Sequence, residues 1–270
     1  MPLRCALIAL FLIASARPSM AQTYDPSHPL PATTSGPALR SLAERREIHE
    51  RFIIGLRAES ERNWKAAAAE FERILSLHPR EPQGSTAHYD LALAEVGLNQ
   101  LDSAALQFEQ AIALDSGFLA AFANLVAVDL MRKDIPGART VADRFLRVAP
   151  QSARALYSRG IVALAGDDPQ TAADDFGKLL RNSPSYAVAH YDLGLAETQL
   201  GRNDAAEREL KAALRLAPTY SRAQFALGTV LLKEGKRSEA RLAFDETIKT
   251  ASKDPTLRNL ATSMRDALHR

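Results

Sequence analysis

Residues 87–95 read AHYDLALAE and residues 189–197 read AHYDLGLAE, eight identities in nine at an offset of 102 residues. The offset is three times 34, and self-similarity at a fixed spacing of about 20–50 residues marks a repeat architecture. With Ala187 as position 1 of a 34-residue unit, the register runs without gaps back through Ala153 and Leu119 to Ser85, and forward to Ser221. A further unit starts at Ile48, set apart by Pro82, Gln83 and Gly84. The six units are 48–81, 85–118, 119–152, 153–186, 187–220 and 221–254.

The columns of this register carry a physical pattern. Position 20 is alanine throughout (Ala67, Ala104, Ala138, Ala172, Ala206, Ala240), and position 8 is small in all units except the third, which has Val126. Position 24 is large (Phe71, Phe108, Phe176, Leu210, Phe244) except at Ala142, and position 32 is Pro79, Pro150, Pro184 and Pro218 in four units. Small residues at 8 and 20 let two helices cross closely, a large residue at 24 fills the space beside them, and proline ends the second helix. In the third unit Ala142 is offset by Phe145 at position 27, an exchange of ring volume between neighbouring columns. Arg159 stands at position 7 of the fourth unit, where the others have Ile or Leu, and the sequence names no partner for it.

These columns resemble the signature of the tetratricopeptide repeat family: a bulky residue at 4, Leu-Gly at 7 and 8, Ala at 20, an aromatic at 24 and Pro at 32. The fifth unit carries it most fully, with His190, Leu193-Gly194, Gly201, Ala206, Leu210 and Pro218. The resemblance covers residues 48–254 and implies an all-α fold, a right-handed superhelical solenoid of six helix-turn-helix repeats. The composition agrees, being rich in alanine and sparse in aromatics. Asp254-Pro255 reads as a helix cap, and Leu257, Leu260, Ala261, Met264 and Leu268 recur at helical spacing, so residues 255–270 are expected to form a capping helix. Residues 38–47 are expected to extend the first helix backwards, making 38–270 the repeat domain.

Outside the repeats, residues 1–21 (MPLRCALIALFLIASARPSMA) have an early Arg4, an apolar run from Cys5 to Ala14, and Ser19 and Ala21 placed for cleavage. This reads as a signal peptide, the apolar run being shorter than the roughly 20 residues a membrane span needs. A cut after Ala16, a buried N-terminal helix and an uncleaved anchor are the competing readings. Residues 22–37 carry Pro26, Pro29, Pro31 and Pro37 without apolar periodicity and read as an extended linker. Cleavage removes Arg4 and Arg17, leaving 32 basic residues against 32 acidic ones. A neutral mature chain points away from nucleic acid and from anionic membranes. Cys5, the one cysteine, leaves with the signal, so neither disulfides nor thiolate chemistry are expected. The expected location is exported, periplasmic or secreted.

The repeated nonapeptide invites a reading as a chemical site, and helix geometry argues against it. His88 and Asp90 are two residues apart and diverge, while His88 and Glu95 are seven apart, about 10.5 Å along a helix at 1.5 Å per residue. One metal ion with bonds near 2 Å cannot bridge them, and the copies at His190, Asp192 and Glu197 fail in the same way. With no catalytic or phosphate-binding motif either, the expectation is a protein that is not an enzyme and needs no cofactor or metal. In tetratricopeptide stacks the first helix of each unit lines a concave face that takes protein or peptide partners, so the resemblance implies contacts there. The candidate residues are Phe52, Tyr89, Asp90, Asn124, Arg154, Tyr157, Tyr191, Asp192, Arg222 and Phe225, of which Phe52, Tyr89, Tyr157, Tyr191 and Phe225 form a ladder of rings at position 5. The family's trap for a C-terminal carboxylate is matched only at Asn124 and Arg154 and is incomplete. The expected function is an exported adaptor binding a protein or extended peptide within a bacterial envelope assembly. The alternatives are a self-associating structural protein, or the recognition subunit of an enzyme on another chain, in the manner of pilus-biogenesis or cytochrome-maturation factors.

Overall fold

The computed structural model describes residues 42–79 and 81–268. The signal peptide, the proline-rich linker and the expected helix over 38–41 lie outside the described residues. Thirteen helices are described: α1 (Leu42–Ser60), α2 (Trp64–Ser76), α3 (Gln83–Gly97), α4 (Leu101–Leu114), α5 (Leu119–Arg132), α6 (Ile135–Val148), α7 (Ala153–Ala165), α8 (Pro169–Asn182), α9 (Ala187–Gln199), α10 (Asn203–Leu216), α11 (Ser221–Lys233), α12 (Arg237–Thr250) and α13 (Pro255–Ala267). Each 34-residue unit is one helix pair. The extra residues before the second unit are partly absorbed by α3, which starts at Gln83, and α1 starts six residues ahead of its unit. The sequence register runs unbroken through residue 153, but the contacts divide the chain after Val148 into two compact units, with α1–α6 in the first and α7–α13 in the second. Within each unit every helix packs on the next in the chain.

The close crossing inside each pair has a visible cause. A Cβ added to Gly55 would lie 2.8 Å from the Phe71 ring, one on Gly160 2.5 Å from Phe176, one on Gly194 2.7 Å from Leu210 and one on Gly228 2.7 Å from Phe244. Position 24 therefore lies directly against the backbone at position 8. The third repeat inverts the arrangement, with Val126 opposite Ala142, and Phe145 stacks on Phe122 at 5.5 Å and 13° instead. All these side chains are fully buried.

The turn between the two helices is the same in all six repeats. Position 15 has a left-handed backbone at Arg62, Asn99, Lys133, Asp167, Gly201 and Gly235, with φ between 57° and 76°. The next N–H reaches back to the carbonyl five residues earlier in every case: Asn63 to Ala58, Gln100 to Glu95, Asp134 to Asp129, Asp168 to Ala163, Arg202 to Glu197 and Lys236 to Leu231, at 2.8 or 2.9 Å. With the position-15 N–H bonding the carbonyl three back, this is the Schellman arrangement that closes a helix C-terminus. Asn63, Asp134 and Asp168 then cap the following helix by accepting from the N–H three residues on.

Two polar columns tie the helices of a pair together. Position 4 bonds position 23 in three repeats: Arg51 Nη1 donates to Glu70 Oε2 at 2.9 Å, His88 Nδ1 lies 2.6 Å from Gln107 Oε1, and His190 Nδ1 lies 2.6 Å from Glu209 Oε2. The fourth repeat has Leu156 at position 4, and Arg159 serves the same end from position 7. Its Nε and Nη2 donate to Asp175 Oδ2 and Oδ1 at 2.6 and 2.7 Å, a bidentate pair with a wholly buried carboxylate. At the C-terminal end α13 covers α12, with Ala261 fully buried and Met264 and Leu268 packed on the cluster around Phe244. Asp254 caps α13 at the Leu257 N–H, as its place before Pro255 predicts.

A side chain other than glycine in the left-handed region costs about 1–2 kcal/mol, partly offset by the greater unfolded-state freedom of glycine. Lys133→Gly is expected to raise stability by about 0.5–1 kcal/mol. Thermal or urea unfolding checks it, and a lowered midpoint contradicts the turn assignment.

Candidate functional site

The first helices α1, α3, α5, α7, α9 and α11 carry the ladder residues, and the structure shows what holds each ring. The position-5 ring lies against the position-24 ring of its own repeat: Phe52 on Phe71 at 6.2 Å, Tyr89 on Phe108 at 5.6 Å, Tyr157 on Phe176 at 5.8 Å and Phe225 on Phe244 at 5.6 Å between centroids. A second set of rings, at position 34, closes over it. Phe118 stacks on Tyr89 at 4.8 Å, Tyr186 meets Tyr157 at 5.4 Å and Tyr220 meets Tyr191 at 5.0 Å. Phe118, Tyr186 and Tyr220 are absent from the sequence-derived candidates, although they share one column of the 34-residue register and that column could have revealed them.

Two of the tyrosines reach into the next repeat. In the first unit Asn124 Nδ2 donates to Tyr89 Oη at 3.0 Å, and in the second Tyr157 Oη donates to Asp192 Oδ2 at 2.8 Å. Both bonds join position 5 to position 6 of the following repeat, 35 residues on. They lie inside the protein: Tyr89 and Tyr157 are 2% and 3% exposed, Asp192 is 2% exposed and Asn124 fully buried. Asp90 is buried as well, and Phe52 is half-buried on the core of the first repeat. These rings and amides shape the wall of the face from beneath.

Accessible area on this face is concentrated in the second unit. Tyr186, Tyr191, Tyr220 and Phe225 are half-buried, as are Arg154 and Arg222 at position 2 of their repeats. Asp192 sits among them. Burial pushes the Tyr157 hydroxyl well above its ordinary pKa, and the Asp192 charge and hydrogen bond add to this. Tyr186 and Tyr220 are raised chiefly by burial and further by Asp192, with Arg154 and Arg222 opposing the rise at one ring each. All three hydroxyls therefore stay protonated at neutral pH, and that of Tyr157 donates to Asp192. The face thus presents ring area and hydroxyl donors around one buried negative charge, with a guanidinium at each flank.

This geometry is that of a helix-turn-helix repeat protein whose first helices form a continuous side-chain surface within each unit. The tetratricopeptide repeat profile matches residues 54–117, 132–187 and 189–255, more than half of the chain. The chain belongs to the tetratricopeptide repeat family, whose fold is a protein-interaction scaffold, and no catalytic family is indicated. Among curated proteins, no sequence matches this chain. Solved structures agree in fold. Pseudomonas aeruginosa pilF is 15% identical, covering 82% of this chain and 99% of its own at a TM-score of 0.65. TTC0263, a thermophilic tetratricopeptide protein of Thermus thermophilus, is 23% identical, covering 67% and 98% at 0.56. YrrB, described as having an unusual peptide-binding site, is 19% identical, covering 73% and 100% at 0.56. Among the described residues no helix is long and apolar enough to cross a membrane.

Deleting the Tyr157 hydroxyl leaves a buried carboxylate short of a donor. Hydrogen bonds to charged groups are worth about 1.5–3 kcal/mol, so Tyr157→Phe is expected to destabilise the fold by that amount. The same change in an Asp192→Asn background is expected to cost about half as much or less. Urea unfolding of the four proteins checks it, and equal costs in both backgrounds contradict the coupling.

Proposed function

We propose that the chain is an exported, non-enzymatic adaptor of a bacterial cell envelope that holds an extended protein segment against the first-helix face of its second unit. The observation that carries the reading is the group of half-buried rings Tyr186, Tyr191, Tyr220 and Phe225 around Asp192, with Arg222 at the edge. Rigid rings with polar tips give large contact area at low entropic cost, and such residues anchor partner segments. The face fits a segment that brings an apolar or aromatic side chain to the tyrosines and a carboxylate to Arg222. The peptide-binding site described for YrrB, a protein of the same fold, supports the reading by analogy. The signal-like residues 1–21 support export, and the neutral balance of the remaining chain suits a protein partner better than a polyanion.

A photoreactive phenylalanine analogue replacing Tyr220 in living cells is expected to crosslink one defined partner. Affinity for that purified partner is expected to fall about 10- to 100-fold on Tyr186→Ala combined with Arg222→Glu, as for loss of an aromatic and arginine hot spot. Unchanged affinity overturns the placement of the site. Export has its own check. The chain recovered from the envelope fraction is expected to begin at Gln22, and the chain lacking residues 1–21 to remain in the cytoplasm. An N-terminus at Met1 in the envelope fraction contradicts cleavage.

A further inference from the structure

The first repeat has an outer face built like an interior one. Within each unit, positions 6 and 7 of the following repeats are covered: Asp90, Asn124, Asp192 and Ala226 at position 6, and Leu91, Leu125, Leu193 and Leu227 at position 7, are all buried. Leu91 lies in the cluster around Phe71 and Ile74 of the repeat before it, and Leu227 in the cluster that includes Leu210 of the repeat before it. In α1 the same two positions are Ile53 and Ile54, 48% and 52% exposed. Among the described residues α13 covers the last helix pair, with Leu260 of α13 itself 49% exposed, whereas the first pair leaves two adjacent isoleucines exposed where solenoid ends require a polar surface.

The residues around the isoleucines say what fits there. Arg46, Glu50, Ile53, Ile54, Arg57 and Glu61 are all exposed and, at 100° per residue, share one stripe about 100° wide along α1. Glu61 keeps the helical register, its N–H bonding the Arg57 carbonyl at 3.0 Å. Read forwards the stripe is Arg, Glu, Ile, Ile, Arg, Glu, and read backwards it is Glu, Arg, Ile, Ile, Glu, Arg. A two-fold axis between Ile53 and Ile54 therefore sets Arg46 against the partner's Glu61, Glu50 against the partner's Arg57, and Ile53 against the partner's Ile54. Every charged position meets its opposite, and each pair occurs twice. A helix of unrelated sequence would meet this stripe with like charges as often as with unlike ones, so the self-complementarity selects a second copy of the chain.

We infer that two copies pair antiparallel through this face of α1, forming an isologous dimer joined at the first repeats. The seam spans residues 46–61, roughly 22 Å of helix, so the contact is small and the dimer belongs to the weak, reversible class. No residue of the seam belongs to the face of the second unit, and a dimer carries that face twice.

The test is charge reversal with complementation, followed by sedimentation of the purified chain from about 1 to about 500 µM. The parent chain is expected to pass reversibly from monomer to dimer, with weaker association in 1 M salt, where exposed pairs are screened. Glu50→Arg alone sets two arginines against each other across the seam, and Arg57→Glu alone sets two glutamates. Each is expected to weaken its own dimer at least about tenfold while helix content by circular dichroism stays unchanged. In an equimolar mixture, a chain with arginine at both positions meets a chain with glutamate at both. Both opposite-charge contacts return, and the mixture is expected to dimerise as the parent does. A parent chain that stays monomeric throughout, variants that associate as the parent does, or a mixture that stays monomeric would each overturn the inference.

Discussion

The contact on which each repeat depends is between a residue without bulk at position 8 and the side chain at position 24. Four glycines there leave less than 3 Å between an imagined Cβ and the opposing ring or leucine, so in those four repeats the second helix could not come as close past a larger residue. That approach fixes where the helices cross, which in turn sets the length of the turn and the 34-residue period. The third repeat shows that the constraint is on summed volume and not on glycine as such. Val126 with Ala142 meets it by exchanging the large and small sides, and Phe145 on Phe122 fills the space that the missing position-24 ring leaves.

Contacts inside one repeat were the most readable in the sequence, because both partners sit at a constant separation and their sizes vary together. The helix pairs and the volume exchange around Ala142 belong to this class, and the cap at Asp254 was readable locally from the proline beside it. The turn was less readable. Position 15 is left-handed six times over, yet Gly201 and Gly235 announce it strongly, Asn99 and Asp167 weakly, and Arg62 and Lys133 not at all, since there the Schellman bonds hold a strained residue in place. Arg159 was opaque for another reason. Its partner Asp175 stands in the position-23 column, whose usual mate is position 4, and Leu156 at position 4 gives no hint that the link has moved by one turn of helix.

The candidate face divides along the same line. A ladder of rings at position 5 is visible in one column, but whether a ring is a wall or a contact depends on what covers it. Covering comes from position 34 of the same repeat and position 6 of the next, so it requires three columns to be read together. Tyr157 is closed over by Tyr186 and tied to Asp192, whereas Tyr191, followed by Ala226 at position 6 of the next repeat, stays half-buried. The ring ladder therefore does two kinds of work with one residue type, and neighbour identity decides which.

This double use has a mechanical consequence. In a solenoid each repeat touches only its neighbours, so stability and spacing are sums of local terms. Tyr157 and Asp192 belong to one of those terms and to the floor of the face at the same time. A segment seated against Tyr186, Tyr191 and Tyr220 would lie directly over the bond that joins the fourth repeat to the fifth. Any ligand that favours one spacing of these repeats is then favoured in turn by whatever holds that spacing, by the reciprocity that governs coupled equilibria. The buried carboxylate makes the coupling asymmetric in cost: opening the joint exposes ring area, which water penalises, and frees Asp192, which water rewards. The joint between the fifth and sixth repeats has Tyr191 and Ala226 in place of tyrosine and aspartate and lacks that opposing term.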